Sequence, residues 1–120
     1  MNYTFHLNDR DIRATRAGAK KVEVRVQTPF SDHNYAEIKA GDTIKFISET
    51  SDKFVETTVT FLHHYPDVKT MLEKEGIENV LSSEPKTIEH AIESHNSIKG
   101  YKEGTLKNGI YAIGVSVKMH

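Results

Sequence analysis

The chain predicts an α+β domain built on a small curled sheet, and three observations carry that reading. About five stretches alternate apolar and polar residues with a period of two, and about three show helical spacing. The two kinds are mixed, with no regular strand–helix–strand alternation. A doubly wound parallel sheet needs that alternation, whereas a small sheet curled into a barrel with helices plugging its ends does not. The 120 residues read as one domain, 1–120, and a domain of that length buries roughly two-thirds of the surface its unfolded chain exposes.

The elements follow in order. Tyr3, Thr4, Phe5, His6 and Leu7 alternate as a half-buried strand does. Asn8 or Asp9 caps a helix whose body is 11–17, and Gly18 stands where a helix stop is expected. Residues 21–26, KVEVRV, form a strand with Val22, Val24 and Val26 on one face and Lys21, Glu23 and Arg25 on the other. Residues 28–40 are polar, contain Pro29, and read as an exposed loop. Gly41 and Asp42 signal a turn before a strand at 43–47, which forms a hairpin with the Val-, Thr- and Phe-rich strand 54–62. Pro66 opens a helix with Val68, Met71, Leu72 and Glu75 on one face; Gly76 closes it, and 77–81 makes a short further turn. Thr87 caps a helix with Ile88, Ala91, Ile92 and His95 on its inner face, ended by Gly100. A polar loop then leads to the last strand, 109–117. Its apolar face is Ile113, Val115 and Val117, and its other face, Ala112, Gly114 and Ser116, has little bulk.

Composition narrows the function classes. With no cysteine, a disulfide framework and thiolate chemistry are excluded, and a reducing compartment fits. No signal-peptide pattern is visible and the apolar runs are a few residues long, so a cytoplasmic location without a membrane span is the expectation. The 16 basic and 17 acidic residues leave a net charge of -1. A protein that grips nucleic acid through many phosphates carries a basic excess, so the expected ligand is small or held in a local cleft. No cofactor and no obligate protein partner is indicated. His63 and His64 are adjacent and diverge on a strand, while His90 and His95 miss the i, i+4 spacing of helical ligands, so no metal site is expected.

Chemistry concentrates at 18–25. A helix stop places Lys20 at the exposed mouth of a strand, which then offers Glu23 and Arg25 on one face, rooted about 6.5–7 Å apart and able to share one ligand. Lysine supplies a positive point charge, glutamate a proton acceptor, and arginine a two-pronged grip on phosphate or carboxylate. The plainer reading of the same spacing is a charged solvent face with surface ion pairs.

The pattern G-x-K-x-x-E-x-R, here Gly18, Lys20, Glu23 and Arg25, resembles the signature of the ASCH domain, a branch of the PUA-like superfamily. Gly41-Asp42 before a strand, Tyr65 through Gly76, and Tyr101 before the closing strand from Gly109 agree in order across nearly the whole chain. The resemblance implies a PUA-like mixed β-barrel of about five strands and about three helices, with a cleft beside the signature that takes a nucleoside or a short RNA. Some small members of the family are acetylcytidine amidohydrolases. By that likeness Lys20 and Glu84 would be catalytic, with Glu23 in place of the family's hydroxyl residue as a third catalytic candidate, and Arg25 would bind substrate. Tyr65 and Tyr101 are candidates to stack a base, the plainer reading of both being packing at the core edge. Those enzymes carry a Thr or Ser hydroxyl where this chain has Glu23, so a hydroxyl nucleophile at that position is impossible and the carboxylate would have to activate water. Strict alternation puts Lys21 on the Glu23 face, whereas the signature points to Lys20. The alternatives are a non-catalytic RNA-binding module, using Arg25 and the loop of Lys99, Lys102 and Lys107, and metal-independent RNA cleavage by Lys20 and Glu23.

Overall fold

Three helices start where a side chain replaces the missing backbone acceptor of their first turn. Asn8 Oδ1 accepts from Asp11 N at 2.8 Å, Asp67 Oδ1 from Thr70 N at 2.8 Å, and Thr87 Oγ1 from His90 N at 3.2 Å. The structure is a computed structural model that describes residues 1–118. Its elements run β1 (Asn2–Leu7), α1 (Asp9–Arg16), β2 (Val22–Arg25), β3 (Thr43–Ser48), β4 (Phe54–Tyr65), α2 (Val68–Glu75), α3 (Ile77–Val80), α4 (Ile88–Ser97), α5 (Tyr101–Asn108) and β5 (Ile110–Val117).

The strands form one mixed sheet in the order β1-β3-β4-β5-β2, with β1 parallel to β3 and every other pair antiparallel. The sheet curls into a half-barrel with β1 and β2 as its two open edges, which is the PUA-like architecture expected. The period of two divides the sheet between two cores. Phe5, Ile44, Phe46, Val59 and Ile113 pack with Ile12 of α1 on one face. Val22, Val26, Ile110 and Ala112 pack with Met71, Leu72, Val80 and Ala91 of α2, α3 and α4 on the other.

Three expectations are corrected. Residues 28–40 are not simply an exposed loop: a 3-10 turn at Tyr35–Glu37 buries Tyr35, and Ile38 follows it into the first core. Apolar side chains spaced too irregularly to show a period still fill the mouth of the half-barrel. The polar loop before the last strand is the helix α5, which with the short α3 brings the described residues to five α-helices where about three were expected. Its sequence, YKEGTLKN, has no apolar stripe, and the helix closely approaches the 26–28 segment that follows β2. Gly104 makes that approach possible. An added Cβ there would lie 2.8 Å from Val26 Cγ1 and 3.0 Å from the Gln27 carbonyl oxygen. The third correction concerns the polar face of residues 21–26, which is solvated only at Lys21: Glu23 is buried and Arg25 half-buried.

Gly104→Ala is therefore expected to destabilise the protein by about 1–3 kcal/mol, because overpacking outweighs the gain in helix propensity. Urea denaturation beside the exposed helical control Lys102→Ala checks this, and a Gly104→Ala variant as stable as the parent would show that α5 does not seat on the 26–28 segment in this way.

Candidate ligand-binding site

An edge strand leaves every second N–H and C=O without a ladder partner. On β2, which pairs only with β5, those are the groups of Val22 and Val24. The signature side chains satisfy two of them, Val22 O and Val24 N. Lys20 Nζ donates to Val22 O at 3.0 Å and to Val80 O of α3 at 2.8 Å, and Glu23 Oε1 accepts from Val24 N at 3.2 Å. Lys20 Nζ also stands 3.5 Å from Glu23 Oε1. Arg25 binds Glu23 Oε2 through Nε at 3.0 Å and Nη2 at 2.8 Å. The same Nη2 donates to His6 O of β1 at 2.9 Å, and the guanidinium carbon lies 4.7 Å from the Phe5 ring centroid. One side chain thus bridges the two open edges of the half-barrel.

Lys20 is 7% exposed and Glu23 6%, so the expectation of an exposed lysine at the strand mouth is corrected. The segment between α1 and β2 runs beneath α3, which covers it. Lys20, not Lys21, meets Glu23, and Lys21 faces solvent. Burial by itself would raise the Glu23 carboxyl, but the charges of Arg25 and Lys20 hold it below its ordinary value. Burial disfavours the Arg25 cation and the Glu23 charge favours it, with the net result that Arg25 is held charged.

The three side chains meet at one carboxylate but open into two cavities. Lys20 and Glu23 line an apolar cavity of about 160 Å³ with Met71, Leu72, Ser94 and His95. Burial lowers the His95 imidazole to about 4, and its Nε2 lies 2.7 Å from Thr105 Oγ1. Arg25 lines a second cavity of about 210 Å³ at the seam between β1 and β2, together with Thr28, Phe30, His33, Lys99 and Tyr101. Arg25 Nη1 makes no hydrogen bond among the described residues, and no side-chain nitrogen or oxygen there is buried without a partner, so Nη1 faces the solvent of this cavity. Burial pushes the Tyr101 phenol up to about 12 against the pull of Arg25, so it is a neutral hydrogen-bonding group at physiological pH.

The other predicted site residues lie apart. Glu84 is exposed on the loop before α4, pairs with Lys86 at 3.2 Å, and lines neither cavity. Tyr65 ends β4 and gives its hydroxyl to Glu75, which also holds His63 Nδ1 at 2.6 Å; burial and Glu75 push its phenol up to about 12. It too lines neither cavity. Residues that sequence reasoning passed over stand in the seam instead: Thr28, Phe30, His33 and Tyr35. The one readable signal was Phe30, a large aromatic after Pro29 in an otherwise polar stretch.

Hypothetical protein PH0355, whose crystal structure is known, superposes with a TM-score of 0.80 and shares 33% identity over 98% of this chain and 100% of that one. The chain belongs to the PH0355 family. Protein PF0455 from Pyrococcus furiosus, known from a solution NMR structure, matches with a TM-score of 0.76 and 29% identity over 100% of both chains. The ASCH domain from Lactobacillus crispatus JV V101 matches with a TM-score of 0.65 over 97% of this chain and 79% of that one, at 10% identity, and so shares the fold. The PH0355 family therefore has the ASCH fold, and Gly18, Lys20, Glu23 and Arg25 of the ASCH signature lie at its β2 edge in this member. No family model and no curated protein sequence matches the chain. Among the described residues no helix is long and apolar enough to cross a membrane.

Glu23→Gln leaves two buried cations facing a neutral amide and is expected to cost about 3–5 kcal/mol at pH 7. Because the Glu23 carboxyl titrates lower folded than unfolded, its contribution is complete above the unfolded value near 4.5 and is lost as pH falls through the lowered folded value. The stability gap between the parent and Glu23→Gln should therefore narrow in acid, as urea titrations from pH 7 down to pH 3 would show. A gap that is absent at pH 7, or that widens in acid, contradicts the assignment.

Proposed function

We propose that this protein is a binding module for a nucleotide unit of RNA, held in the seam cavity between β1 and β2. The observation that carries the reading is the clamped arginine. Glu23 and the His6 carbonyl hold one side of the Arg25 guanidinium and leave Nη1 turned to a cavity that also presents Lys99, Phe30 and Tyr101. A fixed guanidinium suits a phosphate or a base acceptor, aromatic rings suit a base face, and a neutral phenol adds a hydrogen bond. The ASCH signature and fold add support, since domains with this likeness are read as RNA or nucleotide binders. A chain of net charge -1 suits a local contact of this size.

Hydrolysis of an acylated cytidine is the second reading. It is favoured by Lys20 and Glu23 lining one apolar cavity, where Ser94 adds a hydroxyl. Glu23 would take a proton from water, the hydroxide would add to the acyl carbon, and the exocyclic amine would leave with that proton. Against it, a carboxylate held low by two cations is a poor base, Lys20 Nζ is spent on two backbone carbonyls, and Glu84 stands elsewhere.

Titration with the four nucleoside 5′-monophosphates, followed by amide chemical shifts, is expected to give saturable shifts at Thr28, Phe30, Lys99 and Tyr101. Lys99→Ala should weaken binding by about 5-fold or more, and the salt dependence should correspond to about one or two phosphates. Absence of shifts at millimolar ligand, or shifts confined to another face, would refute the reading. Mass analysis of acetylcytidine incubated with the same protein tests the second: deacetylation abolished by Glu23→Gln in a folded variant would make hydrolysis the better account.

A further inference from the structure

The seam cavity has a neighbour that the proposed function does not use. A groove of about 530 Å³ lies between the 27–30 segment and α5, lined by Gln27, Pro29, Gly100, Glu103, Lys107 and Asn108. Thr28 and Phe30 line both the cavity and the groove, so they form the wall between them. Phe30 is 59% exposed, one of the most exposed large apolar side chains among the described residues.

That exposure is built in. Thr28 N donates to Ser31 Oγ at 3.0 Å, Phe30 N donates to Thr28 Oγ1 at 3.1 Å, and Ser31 N donates to Thr28 O at 3.1 Å. Such side-chain-closed turns fix the backbone that carries them. Gly100 also packs close to the ring, since a Cβ there would lie 3.2 Å from Phe30 Cδ2 and 3.3 Å from Thr28 Cβ. Lys99 Nζ stands 4.2 Å from the Phe30 ring centroid and lines the seam cavity. The ring stands between the two concavities with Lys99 over its seam-side face, so it has an open face in the groove for one stacked base, and the cation beside it suits the phosphate joining that base to the nucleotide in the seam.

We infer that Phe30 is a stacking divider, that the groove is a second base position, and that the ligand is a single-stranded oligonucleotide of at least two nucleotides rather than a free nucleoside. The inference rests on the nucleotide-binding reading of the seam. The groove's own charges, Glu103 and Lys107, are of opposite sign, so it offers a second phosphate no net attraction. Gln27 is committed to the fold, donating to His33 O at 2.8 Å and accepting from Tyr35 N at 3.0 Å, and Asn108 Nδ2 donates to Gln27 O at 3.0 Å. The groove therefore accepts a base by stacking, with little discrimination among the four.

Calorimetry with cytidine 5′-monophosphate, cytidine 5′-diphosphate and the 5′-phosphorylated ribodinucleotide of cytidine tests this. The diphosphate adds charge without a second base. The dinucleotide is expected to bind about 10-fold or more tighter than the monophosphate, as one stacked base warrants, and the diphosphate to gain less. Phe30→Ala should bring the dinucleotide-to-monophosphate ratio near one and Phe30→Trp should keep it, with thermal unfolding confirming that both variants fold. A monophosphate that binds while the ratio is near one in the parent, a ratio unchanged in Phe30→Ala, or an equal gain from the diphosphate would overturn the divider and leave the seam site standing. No binding of any of the three would overturn both.

Discussion

The Glu23 carboxylate is the interaction on which the rest of the structure depends. It lies buried at the open edge of β2, a place where a strand offers unpaired backbone groups and where burial would ordinarily keep a carboxyl neutral. Two cations reverse that outcome, and each also performs a second task. Lys20 ties the strand edge to α3 through Val80 O, and Arg25 reaches His6 O on β1. The charge that makes Glu23 costly to bury thus holds the helical layer against the sheet on one side and closes the half-barrel on the other. Removing any one member leaves a buried charge or an unpaired carbonyl, which costs more than the pair itself contributes.

The same arrangement explains why the proposed ligand site lies at the seam. Curling the sheet brings β1 and β2 together without hydrogen-bonding them, and the gap is spanned by a side chain instead of a ladder. A guanidinium used as a strut is fixed in position and still keeps one nitrogen for solvent. The 28–35 segment and the start of α5 then add aromatic rings and Lys99 around it. A balanced overall charge is compatible with this site because its few cations are gathered at one place.

Much of the frame was legible in the sequence. Asn8 and Thr87 are hydrogen-bonding caps whose effect extends over one helical turn, so local pattern located the starts of α1 and α4, while α2 begins after the Asp67 cap and leaves Pro66, read as its first turn, outside the helix. The alternations of β1, β3 and β5 reported their pleat. Helix α5 escaped because its helicity comes from Gly104 fitting against Val26 and Gln27, a contact between residues far apart in the chain. The burial of Glu23 escaped for a related reason. A charged residue at an alternating position reads as solvent-facing until a helix from sixty residues onward lays a carbonyl beside Lys20.

The sequence by itself determined the α+β class, most of the element boundaries, and the cluster of Lys20, Glu23 and Arg25 as the place where charge concentrates. These depend on periodicity, capping and composition, which act over a few residues. Only the tertiary structure decided that these charges form a buried strut instead of a solvated face, that Lys20 and not Lys21 completes it, and that Tyr101, Lys99 and Phe30 gather at the seam while Tyr65 and Glu84 do not. Those outcomes are set by which strand ends at an open edge and which helix covers it, and no local pattern encodes the curl that brings β1 to β2.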